Sequence, residues 1–103
     1  MAAFDRRNPG DIRHATAVFS GASVPAQTDP EQAITGFAVG SIPVGSLVIS
    51  ISKLTDQAGL SVVPGRKTVV ADQVPGKFAN VTIGAIVPTA GDTYDVLYVA
   101  NAE

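Results

Sequence analysis

From residue 46 onward, apolar and polar side chains alternate in short runs cut by Pro, Gly and Asp, a period of two that pleated strands produce and helices do not. Leu47, Ile49 and Ile51 fall on one side and Ser50 and Ser52 on the other, which predicts a half-buried strand. Val81, Ile83 and Ala85 repeat the pattern, as do Tyr94, Val96 and Tyr98 near the C-terminus. Residues 14–20, 33–39, 60–63 and 67–72 complete the set of expected strands. Val63-Pro64-Gly65 and Val74-Pro75-Gly76 read as type II-like turns, with Pro64 and Pro75 fixing φ and Gly65 and Gly76 accepting a positive φ. Further turns are expected over 40–45 and 55–59, and a connection over 21–31 in which Thr28 or Asp29 caps at most one helical turn. The spacing of the two Val-Pro-Gly stretches is one strand plus one turn, the signature of a meander. Helical periodicity is absent, so the predicted class is all-β: a small antiparallel β-sandwich or barrel.

The N-terminal segment departs from this pattern. The first 13 residues hold five of the sixteen charges, Asp5, Arg6, Arg7, Asp11 and Arg13, together with the turn signal Asn8-Pro9-Gly10. The segment predicts an irregular N-terminal arm over 1–12, followed by a single β domain over 13–103. A chain of 103 residues is long enough to bury one ordinary core. Its charged fraction of 16% is well below the roughly 25% of soluble domains, so much of its surface is neutral. Neutral surface is easier to bury against a partner, because few charges lose their water.

Charge and composition narrow the functional classes. A net charge of -2 gives no general attraction to phosphate backbones or anionic membranes, so neither nucleic acid nor membrane is expected as a partner. The charges near the N-terminus stand where a secretory signal needs its apolar run, which predicts synthesis in the cytosol. Asn80-Val81-Thr82 is then an accidental glycosylation match in a plain strand segment. Residues 32–52 carry no charge, but Gly36, Gly40, Pro43 and Gly45 interrupt them, which predicts two buried strands around a turn and no membrane span.

Reactive side chains do not gather into a set. Cysteine is absent, which removes disulfides, thiolate metal sites and Cys nucleophiles together. His14 is the one histidine, and no G-x-S-x-G elbow accompanies it. Asp92 and Asp95 lack the spacing of a calcium loop and read as turn and surface residues. The remaining acids offer no pair facing across a cleft, and the glycines punctuate strands without opening a helix as a phosphate loop does. Arg66, Lys67 and Lys77 suggest a basic patch beside Phe78, but turns separated by one strand of a meander lie at opposite ends of a sheet, which predicts that the patch does not form. The chain is therefore expected to have no catalytic residues, no cofactor and no metal.

Residues 81–101 resemble the end of a fibronectin type III or immunoglobulin-like domain, with Ile86, Pro88, Gly91, Tyr94, Val96, Tyr98 and Ala100 at the positions of the final corner and strand. The resemblance implies that Tyr94 is a corner tyrosine whose hydroxyl bonds back to the backbone near the turn. Only Ala102 and Glu103 follow, so the usual last strand is expected to come from elsewhere or to be missing, and a missing strand leaves an edge that another chain can complete. In size, small-residue bias and lack of cysteine the chain is similar to phage head decoration (cement) proteins and other virion accessory proteins. That similarity implies a non-catalytic assembly protein whose partners are copies of itself or a major capsid protein lattice, incorporated in a virion. The expected interface residues are Phe4, Arg6, Arg7, Ile12 and Arg13 of the arm and Ser41, Ile42 and Val44 of a neutral loop. The alternative is a ligand- or receptor-binding β-sandwich module that uses loops 55–59 and 88–93.

Overall fold

The computed structural model describes residues 12–100, and Phe4, Arg6 and Arg7 lie outside them. Six strands form: β1 (Ile12–Phe19), β2 (Glu31–Ile34), β3 (Leu47–Lys53), β4 (Leu60–Pro64), β5 (Val74–Asn80) and β6 (Asp92–Val99). They make two three-stranded antiparallel sheets in the orders β1-β6-β3 and β2-β5-β4. The sheets pack on one another, so the protein is all-β and compatible with a small β-sandwich. The chain changes sheet at four of its five connections and stays within one sheet only from β4 to β5.

The two central strands supply the middle of the core. In β6 alternation buries Asp92, Tyr94, Val96 and Tyr98 and leaves Asp95 and Leu97 facing solvent. In β5 Phe78 is fully buried, and its ring meets Tyr94 across the sheets with centroids 6.1 Å apart and planes at 65°. Phe19 meets the same tyrosine at 5.7 Å and 73°. Each edge-to-face pair adds about 1 kcal/mol beyond its burial. Val24, Ile34, Phe37, Ile42, Val48, Ile51, Leu60 and Val74 fill the space around them.

Several strands differ from the sequence expectation, each for a local reason. In β3 the register with β6 shifts between Val48 and Ser50, so Ile49 is an extra residue. The bulge inverts the phase: Val48 and Ile51 are buried, whereas Leu47 and Ile49 are exposed. β2 stops at Ile34 and does not reach residue 39, because Gly36 turns the chain at φ 102°. No helical turn forms at 28–31; Thr28 instead bridges Asn80 as a short β contact.

Neither Val-Pro-Gly stretch forms the expected turn. Val74, Pro75 and Gly76 open β5 and are buried, while Pro64 ends β4 opposite Gly76. The Gly65 N–H continues the ladder to the Pro75 carbonyl at 3.0 Å, and neither Gly65 nor Gly76 has positive φ. Gly76 is required by packing: a Cβ there would lie 3.0 Å from Ile34 Cδ1 and 3.3 Å from Val62 Cγ2.

Residues 67–72 do not form a strand either. Buried Thr68 ties this segment to the turn before β3, exchanging backbone bonds with Ser46 and Gly45 and donating its hydroxyl to the Pro43 carbonyl at 2.7 Å. Asp72, at φ 62°, then clamps loop 40–42: its carboxylate accepts the N–H groups of Gly40 and Ile42, each at 2.8 Å. These N–H groups, Ile42 first, hold its carboxyl below the ordinary value.

Residues 81–85 are irregular, because the Asn80 side chain folds the backbone over itself. Its Oδ1 accepts from the Thr82 N–H and hydroxyl, and its Nδ2 donates to the carbonyls of Val24 and Gly84. Val81 and Ile83 are left exposed, not buried as strand residues.

Candidate assembly surface

The outward face of the β1-β6-β3 sheet carries an apolar row that follows from register. Val99 of β6 lies opposite both Ile12 of β1 and Leu47 of β3. The next outward position of β6 is Leu97, and Ile49 is pushed out beside it by the bulge. Directly opposed residues have Cβ atoms about 5 Å apart, so these side chains form one patch. Ile12 is 64% exposed, Leu47 52%, Ile49 45% and Leu97 40%. Patches of this kind on otherwise polar surfaces mark interaction sites.

The same face turns polar further along the strands. Thr16 lies opposite Asp95 and donates to its carboxylate at 2.7 Å, and His14 Nε2 lies 3.4 Å from the same oxygen. A hydroxyl, an imidazole and a carboxylate are thus together, but not as a nucleophilic triad. In a triad one imidazole nitrogen faces the hydroxyl and the other the carboxylate. Here Nε2 faces both, since Thr16 Oγ1 also lies 3.5 Å from it, and the group stands on an open sheet face.

The expected interface residues divide. Ile12 and Arg13 open β1 and are exposed. Val44 is exposed in the loop before β3, and Ser41 is half-buried, its carbonyl accepting the Tyr98 hydroxyl at 2.6 Å. Ile42 is a correction: it is fully buried, drawn into the core by the Asp72 clamp on its N–H, and presents nothing to a partner. Tyr94 is a second correction. Its hydroxyl is buried without a hydrogen-bond partner, and burial pushes its pKa up to about 12. The tyrosine-to-backbone bond is made by Tyr98, two inward positions later in β6.

The loops considered as ligand tips are stitched together. Gln57 donates to the Val87 carbonyl at 3.0 Å and accepts from the Thr89 N–H at 3.0 Å. The Leu54 N–H donates to the Thr93 carbonyl at 2.9 Å. Beneath them lies a buried ion pair, Lys53 to Asp92 at 3.0 Å, with side-chain exposures of 8% and 2%. Asp92 also accepts from the Thr55 N–H and hydroxyl and from the Thr93 N–H. Burial opposes its charge, but the Lys53 ammonium and these donors outweigh it and hold the carboxyl below its ordinary value. Asp92 is therefore not a surface residue, because it opens β6 on the core side. Beside the pair, a hollow of 220 Å³ is lined in part by Ile51, Thr55, Gln57 and Leu60.

The basic residues also lie differently from expectation. Because residues 74–76 are strand and not turn, antiparallel pairing brings Lys77 opposite both Val63 and Glu31. Arg66 reaches the same glutamate, Nη2 to Oε1 at 2.7 Å, and Lys77 lies 3.5 Å from Asp29. The charges come together as opposed pairs across β2 and β5. The guanidinium of Arg66 holds the Glu31 carboxyl below its ordinary value.

Among the described residues no cluster of three or more His, Asp or Glu side chains is placed to hold a metal, and no helix is long and apolar enough to cross a membrane. Sequence reasoning missed the buried pair and the apolar row. Lys53 directly follows the uncharged run 32–52, and only the register to β6 reveals its partner. No protein-family model, curated protein or solved structure matches this chain.

Proposed function

We propose that this protein is a non-catalytic structural protein that packs on neighbouring subunits through the outward face of its β1-β6-β3 sheet, in the manner of a decoration protein on a particle shell. The observation that carries the reading is the apolar row of Ile12, Val99 and Leu47 with Leu97 and Ile49 beside it. Burying such a patch against a like surface releases ordered water from apolar area at little electrostatic cost. The low charge of the chain supports the same reading. The competing reading, a module that takes a ligand between loops 55–59 and 88–93, meets loops already bonded to each other.

The test is the solution mass of wild type beside a Leu47→Lys/Leu97→Lys variant, by light scattering. Wild type is expected to associate and the variant to require at least tenfold higher concentration, with an unchanged far-UV spectrum. Equal association of the two chains overturns the assignment of this face.

A further inference from the structure

Each sheet has two edge strands, and three of the four edges are protected in the ways natural sheets protect themselves. β3 is bulged at Ile49, β2 has four residues and follows Pro30, and β4 has five and ends in Pro64. β1 has neither device. It runs for eight residues without proline, and its register with β6 is continuous from Ile12 to Phe19. Its other side faces no strand among the described residues. Gly36 is the neighbour that comes nearest, at the far end of the strand, where a Cβ would lie 2.9 Å from the Val18 carbonyl oxygen and 3.6 Å from the Ala17 methyl.

We propose that β1 is an assembly edge whose occupant is the β1 strand of a second copy, paired antiparallel across a two-fold axis at Ala15. The inference rests on the assembly reading above and names the partner of the same sheet. An isologous pair places residue i opposite residue j of the other copy and j opposite i, so one number fixes the register. An axis at Arg13 sets two guanidinium groups opposite each other, and an axis at His14 sets the two imidazoles together. The Ala15 axis avoids both. It places His14 opposite Thr16 and Arg13 opposite Ala17. It also brings Ile12 opposite Val18, the two most exposed apolar side chains of the strand, each 64% exposed and both on the outward face. The outcome is a continuous sheet in the order β3-β6-β1-β1-β6-β3, in which the unpaired N–H and C=O groups of each β1 satisfy one another.

The absence of cysteine allows a direct test. Ala15→Cys, Arg13→Cys and Leu97→Cys are oxidised separately under native conditions, and the masses of the products are compared after denaturation. Residues paired across the axis have Cα atoms within disulfide range. Ala15→Cys is expected to give a covalent dimer at least tenfold faster than Arg13→Cys. A mixture of His14→Cys and Thr16→Cys chains is expected to give the heterodimer in preference to either homodimer. A wild type that stays monomeric overturns the assembly reading itself. An associating wild type in which Leu97→Cys or Arg13→Cys cross-links in preference to Ala15→Cys overturns the edge pairing and leaves that reading standing.

Discussion

The buried pair of Lys53 and Asp92 sets up the sharpest stability prediction. Asp92→Ala removes the carboxylate 3.0 Å from an ammonium whose side chain is 8% exposed, and among the described residues no other acid pairs with that ammonium. An uncompensated buried charge costs about 4 kcal/mol, a large share of the roughly 10 kcal/mol that holds a domain of this size. Lys53→Met costs less, about 1.5 kcal/mol, because Asp92 keeps its donors at Thr55 and Thr93. The double variant is expected to be more stable than the sum of the single losses implies, with a coupling of about 2 kcal/mol. Urea unfolding followed by fluorescence and circular dichroism gives each value. The pH dependence has a fixed sign. The Asp92 carboxyl titrates below its ordinary value in the folded state, so its contribution is complete above the unfolded value near 3.9 and is lost as pH falls through the folded one. The gap between wild type and Asp92→Ala should therefore be full at pH 7 and narrow as pH falls below the ordinary carboxylate value. A loss below about 1 kcal/mol for Asp92→Ala at neutral pH, or a gap independent of pH, refutes the reasoning.

The two tyrosines of β6 are expected to respond in opposite senses. Tyr94→Phe removes a buried hydroxyl with no partner and should leave stability unchanged or raise it by up to about 1 kcal/mol, whereas Tyr98→Phe gives up the bond to the Ser41 carbonyl and should lose about 1 kcal/mol. Equal losses in urea unfolding contradict this assignment. Gly76→Ala forces a methyl against Ile34 and Val62 and should cost about 2 kcal/mol, measured in the same way; a neutral result would show that these two side chains give way easily.

The alternation of Tyr94, Val96 and Tyr98 was readable because β6 is regular and has one face in the core. The class and the strands β1, β3, β4 and β6 follow from the same signal. β3 shows its limit. A single extra residue at Ile49 reverses which side chains are buried, and nothing in Leu47-Val48-Ile49 distinguishes the two phases because all three are apolar. Val74-Pro75-Gly76 reads locally as a turn, yet it opens a central strand, where Gly76 leaves the room that Ile34 and Val62 of the flanking strands fill. Asn80 defeats the strand expected at 81–85 through four side-chain bonds to groups that alternation does not register. The candidate surface was legible only at Ile12. Its other members depend on the bulge and on long-range pairing to β6.

The most direct measurement of the central claim is sedimentation velocity of the wild-type chain from low micromolar to millimolar concentration. The account predicts a reversible rise in mass to a closed oligomer with an even number of copies, as a two-fold β1 edge requires. A single monomeric boundary at every concentration contradicts it.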